Sequence, residues 1–220
     1  MKLTPFPGFL VVMALLAGCA SGPVPPDWQL NVQGSTERAV EAYLTGHTRI
    51  GESEFARART DIARTGKIDL IARVELIGCA LRVASLVSDD CMGFDRISQD
   101  TGSAEQAYAD YLAGRLSMKD VSLLPVAHRG VIGGGALALQ AIKDPLSRLI
   151  AAGVLFKMGQ ADPAVMAVAI DAASGQGWSR PLLAWLHVQA RRAELAGDVN
   201  EGARIRRRID LILQVPVRPL

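Results

Sequence analysis

From residue 35 onward, apolar positions recur three and four residues apart rather than two. Val74, Ile77, Leu81 and Ala84 form one such stripe, and Ile205, Ile209 and Ile212 form another. This is the spacing of one face of an α-helix. No run of alternating β-branched residues interrupts it, so the body is expected to be all-α. Helix-start signals punctuate the stripes. Ser35 and Ser103 stand as N-cap candidates, and Ser103 with Gln106 has capping-box spacing. Asp144-Pro145 and Asp162-Pro163 each put a cap acceptor before a proline at the first helical position, and Asp198 with Glu201 repeats the box in acidic form. Together, with Asp69 capping the third, these signals predict helices over residues 35–45, 53–65, 69–87, 104–116, 144–158, 162–174, 180–196 and 200–214. The stretch 117–135 carries Pro125, Gly130, Gly133, Gly134 and Gly135 and breaks the spacing. It is expected to be a flexible inter-hairpin loop and a candidate division of a domain spanning 35–214, with 215–220 as a tail.

The segments also repeat. Ser35-x-Glu37-x-Ala39-x-x-x-Tyr43-Leu44-x-Gly46 recurs as Ser103-x-Glu105-x-Ala107-x-x-x-Tyr111-Leu112-x-Gly114, an offset of 68, and Asp69 lies midway between the two serines. A period near 34 resembles that of tetratricopeptide repeats. The first unit, residues 35–66, is the most similar: aligned on Gly46, it puts Ala39 and Gly51 where paired helices approach, then Phe55 and Ala58 on the second helix. Later units are degenerate, with Asp171 where a small residue is expected and Arg206 where an aromatic one is usual. The resemblance implies stacked antiparallel hairpins forming a right-handed solenoid, and a binding surface for protein partners.

The N-terminus has a different character. Met1 and Lys2 precede the apolar run Phe9-Leu10-Val11-Val12-Met13-Ala14-Leu15-Leu16. That run is too short to span a bilayer core of about 30 Å as a helix, and it fits the apolar part of a secretory signal peptide. A buried N-terminal helix is the alternative, but Pro5, Pro7 and Gly8 make a poor start for one. Leu16-Ala17-Gly18-Cys19 then resembles a bacterial lipobox. The resemblance implies cleavage between Gly18 and Cys19, lipid modification of Cys19, and removal of residues 1–18. Two or three acyl chains anchor stably, because each buried methylene contributes about 0.8 kcal/mol. Ala20 follows, not the Asp that marks inner-membrane retention in such lipoproteins, which implies the periplasmic face of the outer membrane. Residues 19–34, with Pro23, Pro25 and Pro26, are expected to be a tether, with Trp28 and Leu30 beginning to pack onto the body.

Composition narrows the function classes. The formal net charge of +2 falls to +1 once Lys2 is removed, so no nucleic-acid partner is expected. With Cys19 taken by lipid, Cys79 and Cys91 are left as an even pair in an oxidising compartment, and a disulfide between them is expected. The third helix must then stop at or before Val87 and the chain must double back, since bonded cysteines have Cα atoms about 4.4–6.8 Å apart.

Catalytic signals are weak. His47, His128 and His187 are scattered without ligand spacing, no GxSxG elbow occurs, and Asp89-Asp90 are adjacent rather than opposed. The glycines at 130–135 lack a P-loop pattern. No cofactor, metal or catalytic residue is assigned. Arg204, Arg207 and Arg208 share one face of the last helix, with Arg191 and Arg192 as neighbours, and form a candidate patch for an anionic partner. Trp178 and Trp185 are expected to anchor the core. The expected function is a lipid-anchored scaffold or adaptor of the cell envelope. The alternatives are a glycan-cleaving envelope enzyme or a small-ligand or lipid carrier.

Overall fold

A computed structural model describes residues 25–214. The chain runs through α1 (Asp27–Leu44), α2 (Thr48–Ala63), α3 (Ile68–Ala84), α4 (Met92–Asp95), α5 (Ser103–Leu112), α6 (Gly135–Ala141), α7 (Pro145–Lys157), α8 (Pro163–Gln176), α9 (Ser179–Leu195) and α10 (Val199–Leu213). Short 3-10 turns occur at Ser98–Asp100, Met118–Leu123 and Val126–His128. Among the described residues there is no strand, and the protein is all-α.

Three of the expected caps form. The carboxylates of Asp144, Asp162 and Asp198 accept from the backbone N–H of Ser147 (2.7 Å), Val165 (2.8 Å) and Glu201 (3.0 Å). The two serine caps do not. Ser35 is buried in the middle of α1, which begins at Asp27 rather than at residue 35. The stretch expected as a tether therefore loses residues 27–34 to the helix. Trp28, Val32, Ser35 and Ala39 make one helical stripe; Trp28 and Val32 pack on the core, while Leu30 is 50% exposed. At α5, Gly102 precedes the first turn, its N–H donating to Asp69 Oδ1 (3.1 Å), and the Gln106 amide turns away to the carbonyls of Ser98 and Thr101. Asp69 thus bonds across to the next helix instead of capping its own.

α1 and α2 form an antiparallel hairpin closed by Gly46, whose φ of 94° is readily available only to glycine. They approach closely where Gly51 faces the backbone of Ala39 and Tyr43. α3 is apolar nearly all round, with nine of its 17 residues buried, and it occupies the centre against α1, α2, α5 and α7. α7, α8, α9 and α10 then pack in succession.

Two features depart from expectation. First, α9 returns to α1. Trp178 Nε1 donates to Glu41 (3.3 Å), Ser179 Oγ to the Thr45 carbonyl (3.2 Å), and Arg180 Nε to the Tyr43 carbonyl (2.6 Å). In an open solenoid each repeat touches only its neighbours; here helices more than 130 residues apart are joined. Second, the stretch 117–135 is packed. Leu124, His128 and Val131 are buried, followed by Leu139 and Ile142, and one apolar cluster includes residues on both sides of it. It contributes 3-10 turns and these buried side chains to the body.

Candidate functional site

Two open grooves mark the surface. The larger, about 540 Å3, lies between α1 and α2. α1 contributes Leu30, Asn31, Gly34, Ser35 and Arg38, and α2 contributes Ser53, Ala56, Arg57, Thr60 and Asp61. Both sets follow helical spacing, so each helix presents one stripe to the trough. Gly34, Ser35, Ser53 and Ala56 give the trough small side chains, and Arg38 and Arg57 are its exposed cations.

Glu54 fixes those two arginines. Its side chain is only 10% exposed, whereas Arg38 and Arg57 are 58% and 65% exposed. Arg38 donates from Nε (3.0 Å) and Nη2 (2.8 Å) to Oε2, and Arg57 Nη1 donates to Oε1 (3.1 Å). Arg38 Nη2 also reaches Ser35 Oγ at 3.2 Å. The motif continues across the next helices: Arg59 forks onto Glu75 between α2 and α3, and Arg73 Nε meets Glu105 Oε1 (2.9 Å) between α3 and α5. Each carboxylate is sunk into the body and each guanidinium lies above it. From the sequence alone Glu54 is assigned no role. Its partner Arg38 is 16 residues away, as Glu75 is from Arg59, and that shared separation was the signal available in the sequence.

Both Glu54 oxygens accept from guanidinium donors, so the arrangement presents two oriented cations. The exposed guanidinium edges suit carboxylates or other planar anions.

The second groove, about 480 Å3, lies between α9 and α10 and is lined by His187, Ala190, Arg191, Glu194, Arg206, Ile209, Asp210 and Leu213. Here Arg206 pairs with Glu194, whose carboxyl is held below the usual carboxylate range chiefly by that hydrogen bond. The expected patch of Arg204, Arg207 and Arg208 does share a face of α10, but two members are engaged. Arg204 forks onto Glu201 (2.7 and 2.6 Å) and Arg208 Nη2 reaches Ser174 Oγ (3.2 Å), while Arg207 is exposed.

The remaining candidates sit apart. Cys79 and Cys91 are bonded, with Cα atoms 5.6 Å apart. α3 ends at Ala84 and the chain doubles back through Leu86 at φ 57°. His47 Nδ1 lies 3.0 Å from Thr45 Oγ1, His187 lines the second groove, and His128 is buried against Tyr111 Oη at 3.0 Å. Burial pulls the His128 pKa down to about 4 and pushes the Tyr108 and Tyr111 hydroxyls far up. Among the described residues no group of three His, Cys, Asp or Glu is placed to hold a metal ion, and no helix is long and apolar enough to cross a membrane. Trp178 and Trp185 are both core residues. Gly18 and Cys19 lie outside the described residues. No family model, curated protein or solved structure matches the chain.

Proposed function

We propose that this chain is a lipid-anchored scaffold of the bacterial cell envelope, held through Cys19 to the periplasmic face of the outer membrane and binding protein partners along its helical hairpins. The lipobox Leu16-Ala17-Gly18-Cys19 supports the anchor. The α1–α2 trough supports the binding role, and it is the observation that carries the reading. Its small side chains admit a partner's helix or extended strand, and its two guanidiniums are already oriented by Glu54, so little ordering entropy remains to be lost on contact. A carboxylate-bearing segment is the chemistry that fits.

We read the hairpins as degenerate tetratricopeptide-like pairs. The close approach of α1 and α2 at Ala39 and Gly51 supports this, as does the serial packing of α7 to α10. The α9–α1 joint makes the stack closed rather than open-ended. We assign no catalytic residue and no cofactor.

The test is photocrosslinking in intact cells from a probe at Ser53 or Ala56. The expected product is a discrete protein adduct that weakens when Arg57 alone is changed to Glu, a change that leaves Glu54 its bonds to Arg38. Adducts to lipid or glycan alone would reject the scaffold. Mass spectrometry of the cell-made protein should find acyl groups on Cys19; a chain retaining residues 1–18, or one released from membranes by salt, would reject the anchor.

A further inference from the structure

The bond between Cys79 and Cys91 is asymmetric in its surroundings. Cys79 lies on α3 and is 2% exposed, and Arg82, one turn on, places Nη2 3.2 Å from its Sγ. Cys91 is only partly buried and follows the exposed Ser88, Asp89 and Asp90. A guanidinium therefore lies against Cys79, and two exposed carboxylates precede Cys91 in the chain. Lys157 of α7 also lies within electrostatic reach of Asp89, Asp90 and Arg82. A thiolate is stabilised beside a cation and destabilised beside carboxylates. In thiol–disulfide exchange the sulfur that leaves faster is the one whose thiolate is more stable.

The intervening backbone adds to this. Leu86 adopts a left-handed φ of 57° that a branched side chain rarely takes, within a turn where Leu86 N–H donates to Val83 O (3.0 Å) and Val87 N–H to Arg82 O (2.9 Å). These hydrogen bonds cap the end of α3, and the disulfide spans the turn they form. Asp89 in the same loop acts on Tyr43 of α1, the residue whose ring lies 4.4 Å beneath the Arg180 guanidinium. The bond thus borders the joint between α1 and α9.

We propose that Cys79–Cys91 is an exchangeable disulfide with a fixed polarity: an external thiolate attacks Cys91 Sγ, and Cys79 leaves as a thiolate held by Arg82. In the first step the attacking sulfur bonds to Cys91 Sγ and the Cys91–Cys79 sulfur bond breaks, its electron pair going to Cys79. In the second, another external thiolate takes the first off Cys91, which leaves as a thiolate and is protonated. Two external thiols are oxidised to one disulfide and the protein gains two electrons. The inference stands on the geometry of α3 and its loop and does not depend on the proposed scaffold role.

Native oxidised full-length chain, treated briefly with glutathione and quenched with acid before alkylation, decides the polarity by peptide mass spectrometry. The expected product carries glutathione on Cys91 and a free thiol at Cys79. Glutathione on Cys79, an even split, or exchange no faster than global unfolding would each overturn the proposal. In Arg82→Gln the native-state exchange rate should fall by about threefold, because the departing thiolate loses its guanidinium partner. An unchanged rate in a folded Arg82→Gln protein would overturn the assignment to Arg82, and if that variant does not fold, the site of the glutathione adduct still decides.

Discussion

The indole N–H of Trp185 donates to the carbonyl oxygen of Ala84 at 3.1 Å, joining residues 101 apart in the chain. Both lie in the core with no exposed surface, and the Ala84 carbonyl belongs to the last turn of α3, where helix carbonyls lack intrahelical partners. Trp185→Phe keeps the ring against Phe156 but strands that carbonyl, and should lower unfolding free energy by about 1–2 kcal/mol. Trp185→Ala should cost about 3–5 kcal/mol. Urea titration measures both; no loss in Trp185→Phe would mean the hydrogen bond contributes nothing.

Gly153 is a matter of space rather than of dihedral freedom. A Cβ there would lie 2.8 Å from the carbonyl carbon of Val83 and press still closer on its oxygen, because α3 and α7 touch backbone to backbone at this point. Gly153→Ala should destabilise by about 1–3 kcal/mol or more. Gly175, helical and with nothing within 4 Å of its would-be Cβ, is the control. Gly175→Ala should stabilise by about 0.5–1 kcal/mol. Thermal melts of the two variants should move in opposite directions.

Stability should depend on pH through His128. Its folded pKa of about 4 lies below the ordinary 6.5 because burial disfavours the imidazolium. The unfolded chain therefore binds the extra proton first as pH falls, and stability drops between pH 6.5 and 4 by a total of roughly 3 kcal/mol. Above 6.5 and below 4 this contribution is flat. Urea midpoints measured across the range should lose most of that slope in His128→Gln; an unchanged slope would place the titration elsewhere.

The trio at the groove predicts non-additivity. Arg38→Ala leaves Glu54 its bond to Arg57, and Arg57→Ala leaves it Arg38, so each alone should cost less than about 1 kcal/mol, as expected for exposed partners. Removing both leaves a sunken carboxylate unpaired, and the double variant should lose about 3–5 kcal/mol. Glu54→Gln in that background should restore part of the loss. Additive single effects would mean that the two arginines act independently.

What could be read in the sequence, and what could not, follows from the range of each signal. Asp144, Asp162 and Asp198 cap their helices as expected because a cap is settled within four residues. The pair Cys79 and Cys91 follows from setting Cys19 aside for lipid and from an oxidising compartment, and only the requirement that α3 end at or before Val87 comes from local geometry. Ser35 misled because a serine signals a helix start only when nothing larger overrides it. Trp28 and Val32 continue the buried stripe upstream, although Gln29, Asn31, Gln33 and Gly34 between them make the segment look polar. Residues 117–135 looked loose because glycine and proline report backbone freedom, not packing, and the burial of Leu124, His128 and Val131 depends on α5 and α7. The α9–α1 joint and the Arg–Glu pairs depend on helices meeting in space, and only the repeated 16-residue separation left a trace of them.

The Arg180 contacts have a mechanical consequence. Arg180 grips the Tyr43 carbonyl and ring and donates to Thr48 Oγ1 at 2.6 Å, so the first hairpin is riveted to the start of α9. A pull on the chain ahead of Asp27 enters along the axis of α1 and is shared with α9 and, through Trp185, with the end of α3. The first hairpin should therefore resist being drawn away from α9 under tension better than a hairpin without such contacts.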